Sequence, residues 1–243
     1  MPLLMIGVVQ VVILVAHETR TIESTFPAAD LGLVEIDGEA GGRVEVVGTD
    51  ADEVRVVATI DHGLRRTGYG ERIEGDRLVL SSSCPIVGST FCRVHIRVEM
   101  PASLPLIVSN DAGSIVVSDI DADVDLRTDA GSVEATRIGG TLQARSDAGS
   151  VTGVGLRSAH VTADSDAGSV SLDFARAPTA VAATSDAGTV EVVVPPDGEV
   201  YKVTADSDAG NVTTAVATAP DADRTIVATS DAGSVHVRYA TTG

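Results

Sequence analysis

Tryptophan is absent from this 243-residue chain, and aromatic residues make up only 2% of it. That leaves little ring platform of the kind on which a carbohydrate enzyme stacks its sugars. Cysteine is scarce too: Cys84 and Cys92 are the only two, too few to hold zinc unless other ligands join, and His95 alone cannot complete the set. Positive charge is short, with 17 Lys and Arg against 35 Asp and Glu and a net charge of −18, which argues against nucleic acid and anionic lipid headgroups as partners. Catalytic signatures are missing as well. The five histidines (17, 62, 95, 160 and 236) sit in no recognisable catalytic setting, and no G-x-S-x-G elbow occurs. No glycine loop joins a strand to a helix in the manner of a phosphate cradle. The expectation is a protein that is not an enzyme.

What the chain does have is one hexapeptide repeated seven times, at 110–115, 128–133, 146–151, 165–170, 185–190, 207–212 and 230–235. Its aspartates fall at Asp111, Asp129, Asp147, Asp166, Asp186, Asp208 and Asp231, spaced by 18 to 23 residues. A period near 20 marks a repeat architecture in which one unit cannot bury its apolar face alone. Relative to each Asp, apolar residues recur five before (Leu106 to Ile226), three before (Val108 to Ala228) and four after (Ile115 to Val235), with polar residues between. Alternation of period two on both sides of the hexapeptide means strands. The fold expected is all-β: a parallel β-solenoid of about seven to eight coils of 18–23 residues, its equivalent strands stacked about 4.8 Å apart. Small residues three before the Asp allow the two walls to approach closely.

Within the hexapeptide, Asp-Ala-Gly reads as a corner. The glycines (Gly113, Gly131, Gly149, Gly168, Gly188, Gly210 and Gly233) tolerate positive φ, and the Asp side chain can accept a backbone N–H two residues on. Stacked coils would align the carboxylates along one edge, where neighbours repel by about 1 kcal/mol in water. Backbone hydrogen bonds at the corners would offset that repulsion. The alternative is Ca²⁺ held between coils, with Asp164, Asp206, Asp221 and Asp223 as additional ligands, although one Asp per corner is poor for six to eight oxygens. No other cofactor is expected. A periodic row of acids also differs from the single carboxylate pair of a β-helix glycosidase, the most distant of the readings.

Upstream, residues 33–46 form a degenerate copy of the unit, and 61–101 break the period with a basic stretch and an inserted hairpin. Cys84 and Cys92 stand eight positions apart around a Pro- and Gly-containing loop between β-like segments; a disulfide fits this spacing, which points to an oxidising compartment, and a pair of free thiols is the alternative. Residues 2–16 are the only long apolar stretch, about five short of a bilayer span. A short membrane anchor is the favoured reading of this stretch, against a secretory signal or a segment packed on the fold. The organisation expected is an anchor or signal-like segment over 1–20, a degenerate coil with a hairpin cap over 21–108, and the repeat solenoid over 109–243.

Taken together, the SDAGSV repeats, GLRRTGYGERIEGDRLVL at 63–80, CPIVGSTFCRVHIRVEMP at 84–101 and the apolar N-terminal segment resemble the DUF4097 family of bacterial proteins. The resemblance spans residues of about 20–240. It implies an adhesin-like, right-handed β-helical domain held outside the cytoplasmic membrane, and it supplies no catalytic residues. The function expected is a non-catalytic structural or interaction module of the cell envelope, with an envelope protein or a cell-wall component as partner.

Overall fold

The structure is a computed structural model and describes residues 18–62, 67–84 and 92–241. It is all-β apart from one turn of 3₁₀ helix, Ala28–Asp30. The first part of the chain contributes β1 (Glu18–Pro27), β2 (Leu33–Gly38), β3 (Val44–Thr49), β4 (Glu53–His62), β5 (Gly68–Glu74), β6 (Arg77–Ser83) and β7 (Arg93–Pro101). Each hexapeptide then joins two strands: β8 (Leu106–Ala112) to β9 (Ile115–Ser118), β10 (Val124–Ala130) to β11 (Val133–Thr136), β12 (Leu142–Ala148) to β13 (Val151–Leu156), and β14 (His160–Ser165) to β15 (Val170–Phe174). The last three are β16 (Ala180–Ser185) to β17 (Val190–Val194), β18 (Tyr201–Ser207) to β19 (Val212–Ala215), and β20 (Arg224–Ser230) to β21 (Val235–Tyr239).

Strands before the hexapeptides belong to a 10-stranded sheet and strands after them to an 11-stranded sheet. Neighbouring repeats pair in parallel with equivalent residues opposed: Val124 lies beside Leu106 and Leu142, and Val133 beside Ile115 and Val151. The degenerate unit at 33–46 joins the same register, with Val34 beside Leu106 and Val44 beside Ile115. Side chains at alternate positions therefore point between the sheets, and those of Val34, Val108, Leu126, Ala163, Val170, Val190 and Ala228 are fully buried. Every ladder position read from the sequence is buried in six of the seven units; in the seventh, Val203 and Ala205 are half-buried and Val212 is exposed.

The spatial order of the units departs from their order in the chain. The first five stack in sequence, but β20 and β21 lie directly on β16 and β17, and β18 and β19 are displaced to the outside. The residue six after each Asp supplies the physical reason. It points inward and is Val117, Ala135, Gly153, Leu172, Val192 and Val237 in six units, all buried, but Thr214 in the unit of Asp208. Burying that hydroxyl in an apolar ladder costs roughly 1–3 kcal/mol, so the unit carrying Val237 takes the inner place. At the other end, too, spatial order departs from chain order: β6 and β7 lie outside β2 and β3, followed by antiparallel β5 in one sheet and antiparallel β4 and β1 in the other. Cys84 and Cys92 form a disulfide there, their Cα atoms 5.9 Å apart.

No helix among the described residues is long and apolar enough to cross a membrane. The apolar stretch 2–16 lies outside the described residues.

Candidate interaction surface

Because β8, β10, β12, β14, β16, β20 and β18 are in register, the seven aspartates are brought into one row along the edge where the sheets meet. Asp111, Asp129, Asp147, Asp186, Asp208 and Asp231 are exposed and Asp166 is half-buried. Among the described residues none of the seven carboxylates accepts a backbone N–H, contrary to the expectation for a corner. The corner amides instead serve the neighbouring repeat: Ala167 N donates to Asp147 O at 3.0 Å and Ala187 N to Asp166 O at 3.1 Å. With the backbone thus occupied, the side chains are free to face solvent. Arg145 offsets one like-charge contact by bridging two members of the row, donating from Nε to Asp147 Oδ1 at 3.2 Å and from Nη2 to Asp166 Oδ1 at 2.9 Å.

The glycines are required by a different constraint from the one expected. A methyl group on Gly131 would overlap the carbonyl oxygen of Gly113, and the same holds for Gly149 on Gly131, Gly168 on Gly149, Gly188 on Gly168, Gly233 on Gly188 and Gly210 on Gly233. The column continues to Gly113 on Gly42 of the degenerate unit. Close approach of backbone to backbone, more than a left-handed φ, excludes a side chain here.

That crowded carbonyl is also the acceptor for the residue just before each Asp. Ser146 Oγ donates to Gly131 O at 2.7 Å, Ser165 to Gly149 at 2.8 Å, Ser185 to Gly168 at 2.7 Å, Ser230 to Gly188 at 2.8 Å and Ser207 to Gly233 at 2.7 Å. Thr128 and Asn110 make the equivalent bonds, at 3.2 and 3.0 Å. All are buried except Ser207 of the outer unit. Sequence reasoning passed over this column, although its signal was available: every residue at the position carries a donor on a short side chain. Serines on the other flank add a second ladder, with Ser169 N donating to Ser150 Oγ and Thr189 N to Ser169 Oγ, each at 3.2 Å.

On the opposite edge, arginines tie consecutive units together. Arg137 grips Asp119 with two bonds of 2.6 and 2.7 Å, and Arg157 reaches Asp121 at 2.8 Å and Arg137 O at 2.9 Å. The hydrogen bond from Arg137 holds the Asp119 carboxyl below the usual carboxylate range. His95 sits in β7, where Nδ1 accepts from Arg43 N at 3.1 Å. Among the described residues no three His, Cys, Asp or Glu side chains come together as a metal site.

The fold is similar to that of a protein named a "putative adhesin" from Bacteroides fragilis, with 14% identity, a TM-score of 0.50, and coverage of 91% of this chain and 97% of that one. A "putative cell adhesion protein" from Clostridium sporogenes is similar at 9% identity and a TM-score of 0.42, covering 92% and 100% of the two chains. A "putative lipid binding protein" from Parabacteroides distasonis follows at 12%, 0.39, 93% and 97%. The first likeness concerns the fold, and the other two carry no argument. No family model matches the sequence, so DUF4097 remains a resemblance of motifs. No curated protein matches it either.

Proposed function

We propose that this chain is a non-catalytic interaction module of a bacterial cell envelope, built as a β-solenoid and presenting its aspartate row to an envelope protein or a wall component with regularly spaced cationic groups. The observation that carries the reading is the division of labour within the hexapeptide. Its Ser and Gly are consumed by packing between repeats, while its Asp points to solvent with no backbone bond to make. An acid repeated at a strand-to-strand spacing suits many weak contacts along a repeating partner, where avidity replaces a single deep pocket. The adhesin name of the Bacteroides fragilis neighbour is consistent with this role. Localisation outside the cytoplasmic membrane, attachment through residues 2–16 and the right hand of the coil belong to the same proposal.

The test is co-sedimentation of the full chain with cell walls and with envelope membranes from the bacterium that makes it. Binding that weakens as salt rises, and falls in the triple variant Asp129→Asn, Asp147→Asn, Asp186→Asn, supports the proposal. Binding to neither fraction would sink it. A thermal melt with millimolar Ca²⁺ and then chelator addresses the metal reading. A site of micromolar affinity would add about 4 kcal/mol at a thousandfold excess and lose it on chelation.

A further inference from the structure

The two sheets do not end together where β1 lies. Beyond β7 the 11-stranded sheet adds β4 and β1, while beyond β6 the 10-stranded sheet adds only β5. The inward face of β1 therefore runs past the other sheet. Its Ile22 and Phe26 are half-buried, although their neighbours on β4, Ala58 and Val54, are fully buried.

β1 is also a long edge, ten residues paired with β4 on one side only. Ala28 N donates to Asp52 O at 3.0 Å, one step beyond the pair of Pro27 with Glu53. Antiparallel pairs alternate, so the even-numbered residues of β1 bond to β4 and the odd-numbered ones direct N–H and C=O away from it. The far side of β4 agrees. Val94 N and Ile96 N donate to Gly41 O and Arg43 O, which leaves the odd-numbered residues of β7 to bond the odd-numbered residues of β4. Thr19, Thr21, Glu23 and Thr25 thus carry main-chain groups with no partner among the described residues. This edge has no lysine and no bulge, the ordinary defences against pairing with another chain.

The edge is complementary to itself. In an antiparallel pairing about Ile22, Thr19 falls opposite Thr25 of the second copy and Thr21 opposite its Glu23, so every outward donor meets a carbonyl. Ile22 faces its own copy in a non-hydrogen-bonded pair, where side chains come closest. Thr–Thr pairs are favourable across strands. The two Glu23 are only diagonal to each other, and Arg55, 3.5 Å from Glu23, offsets the charge of each. Other registers fit less well. Pairing about Glu23 sets the two carboxylates directly opposite, and pairing about Ser24 places Thr21 against Pro27, which has no N–H to give.

We propose that β1 is a homodimer edge: two copies pair β1 with β1 in antiparallel fashion about Ile22 and join their 11-stranded sheets into one. The two-fold axis stands perpendicular to the joined sheet, so both 10-stranded sheets lie on the same side of it.

Sedimentation equilibrium of the full chain over a range of concentrations tests this. Wild type is expected to reach twice the 24.8 kDa of the chain, with a dissociation constant on the order of micromolar for so small an interface. Thr21 is exposed and lies opposite Glu23 of the second copy twice per interface. Thr21→Glu should therefore raise the dissociation constant about fivefold or more, and Thr21→Lys should lower it by a similar factor. The same two changes at Thr162, exposed on β14 of the other sheet, alter net charge equally and should leave the constant within about twofold of wild type. Thermal melts of the four variants should match wild type, because these side chains are exposed. A wild-type chain that stays monomeric up to on the order of 100 µM overturns the proposal. So does a dimer that Thr21→Glu and Thr21→Lys shift in the same direction or not at all, which would place association elsewhere. Equal responses at Thr162 and Thr21 overturn it too, since net charge would then be the cause.

Discussion

At the residue scale, the hexapeptide divides into side chains that hold the stack and one that does not. Ser185 is buried and bonded to Gly168 O, so Ser185→Ala leaves a buried carbonyl short of a donor and should cost about 1–3 kcal/mol. Asp186→Asn, one position on, changes an exposed side chain and should stay within about 0.5 kcal/mol. Urea melts of the two variants check the contrast; equal losses would mean that the carboxylate does bear on the corner. Tyr201 supplies a second prediction. It is fully buried, its hydroxyl has no hydrogen-bond partner among the described residues, and burial pushes its pKa up to about 12, with Asp197 adding to the rise and Arg224 opposing it. A raised folded-state pKa means that the stabilisation is complete below the unfolded value of about 10 and is lost as pH climbs through about 12. Tyr201→Phe should therefore melt later than wild type at neutral pH, by about 1 kcal/mol, and lose less stability between these two pH values. Tyr69, also raised by burial and by its bond to Glu71, contributes to the same alkaline loss in both proteins.

At the scale of the strand pair, what decides a unit's place is whether both of its walls are apolar. The unit of β20 and β21 has buried Ile226, Ala228, Val235 and Val237, and it sits inside; the unit of β18 and β19 offers Thr214 and sits outside. Exchanging these two residues separately tests this cause. Val237→Thr places a hydroxyl in a closed ladder and should cost about 1–3 kcal/mol, whereas Thr214→Val should be close to neutral in the monomer. Differential scanning calorimetry of both variants would decide it, and comparable costs would show that the order of units has another origin. Only the pairing of strands makes this visible. In the sequence the two units are successive copies, and the difference between them is a single inward residue among many polar ones.

At the scale of the molecule, charge bears on stability from outside the core. A net −18 carried partly by one aligned row raises the electrostatic cost of the compact state. Between about 10 mM and 0.15 M salt the Debye length falls from about 30 to 8 Å, so the melting temperature should rise across that range. A flat or falling profile in a calorimetric salt series would mean that cross-strand pairs, such as Arg97 with Glu45 and Arg238 with Glu191, already balance the field. Those pairs are at most half-buried and each contributes little, which is why the net charge is expected to prevail.

The repeat period and the two-residue alternation were enough to determine strands, their inward faces and the seven-fold alignment of aspartates and glycines, because each rests on local chain geometry. The spacing of Cys84 and Cys92 across a short loop suited a disulfide, and the structure decided for it against free thiols. Three features were decided only by tertiary structure. The glycines are needed because a neighbouring backbone occupies the space of their missing side chains, which no single repeat reveals. The Ser column donates to that same crowded carbonyl, and the Asp row is left free once the corner amides bond across repeats. The order of the last two units reverses because burial compares whole units against one another, and a comparison between distant segments has no counterpart in local sequence pattern.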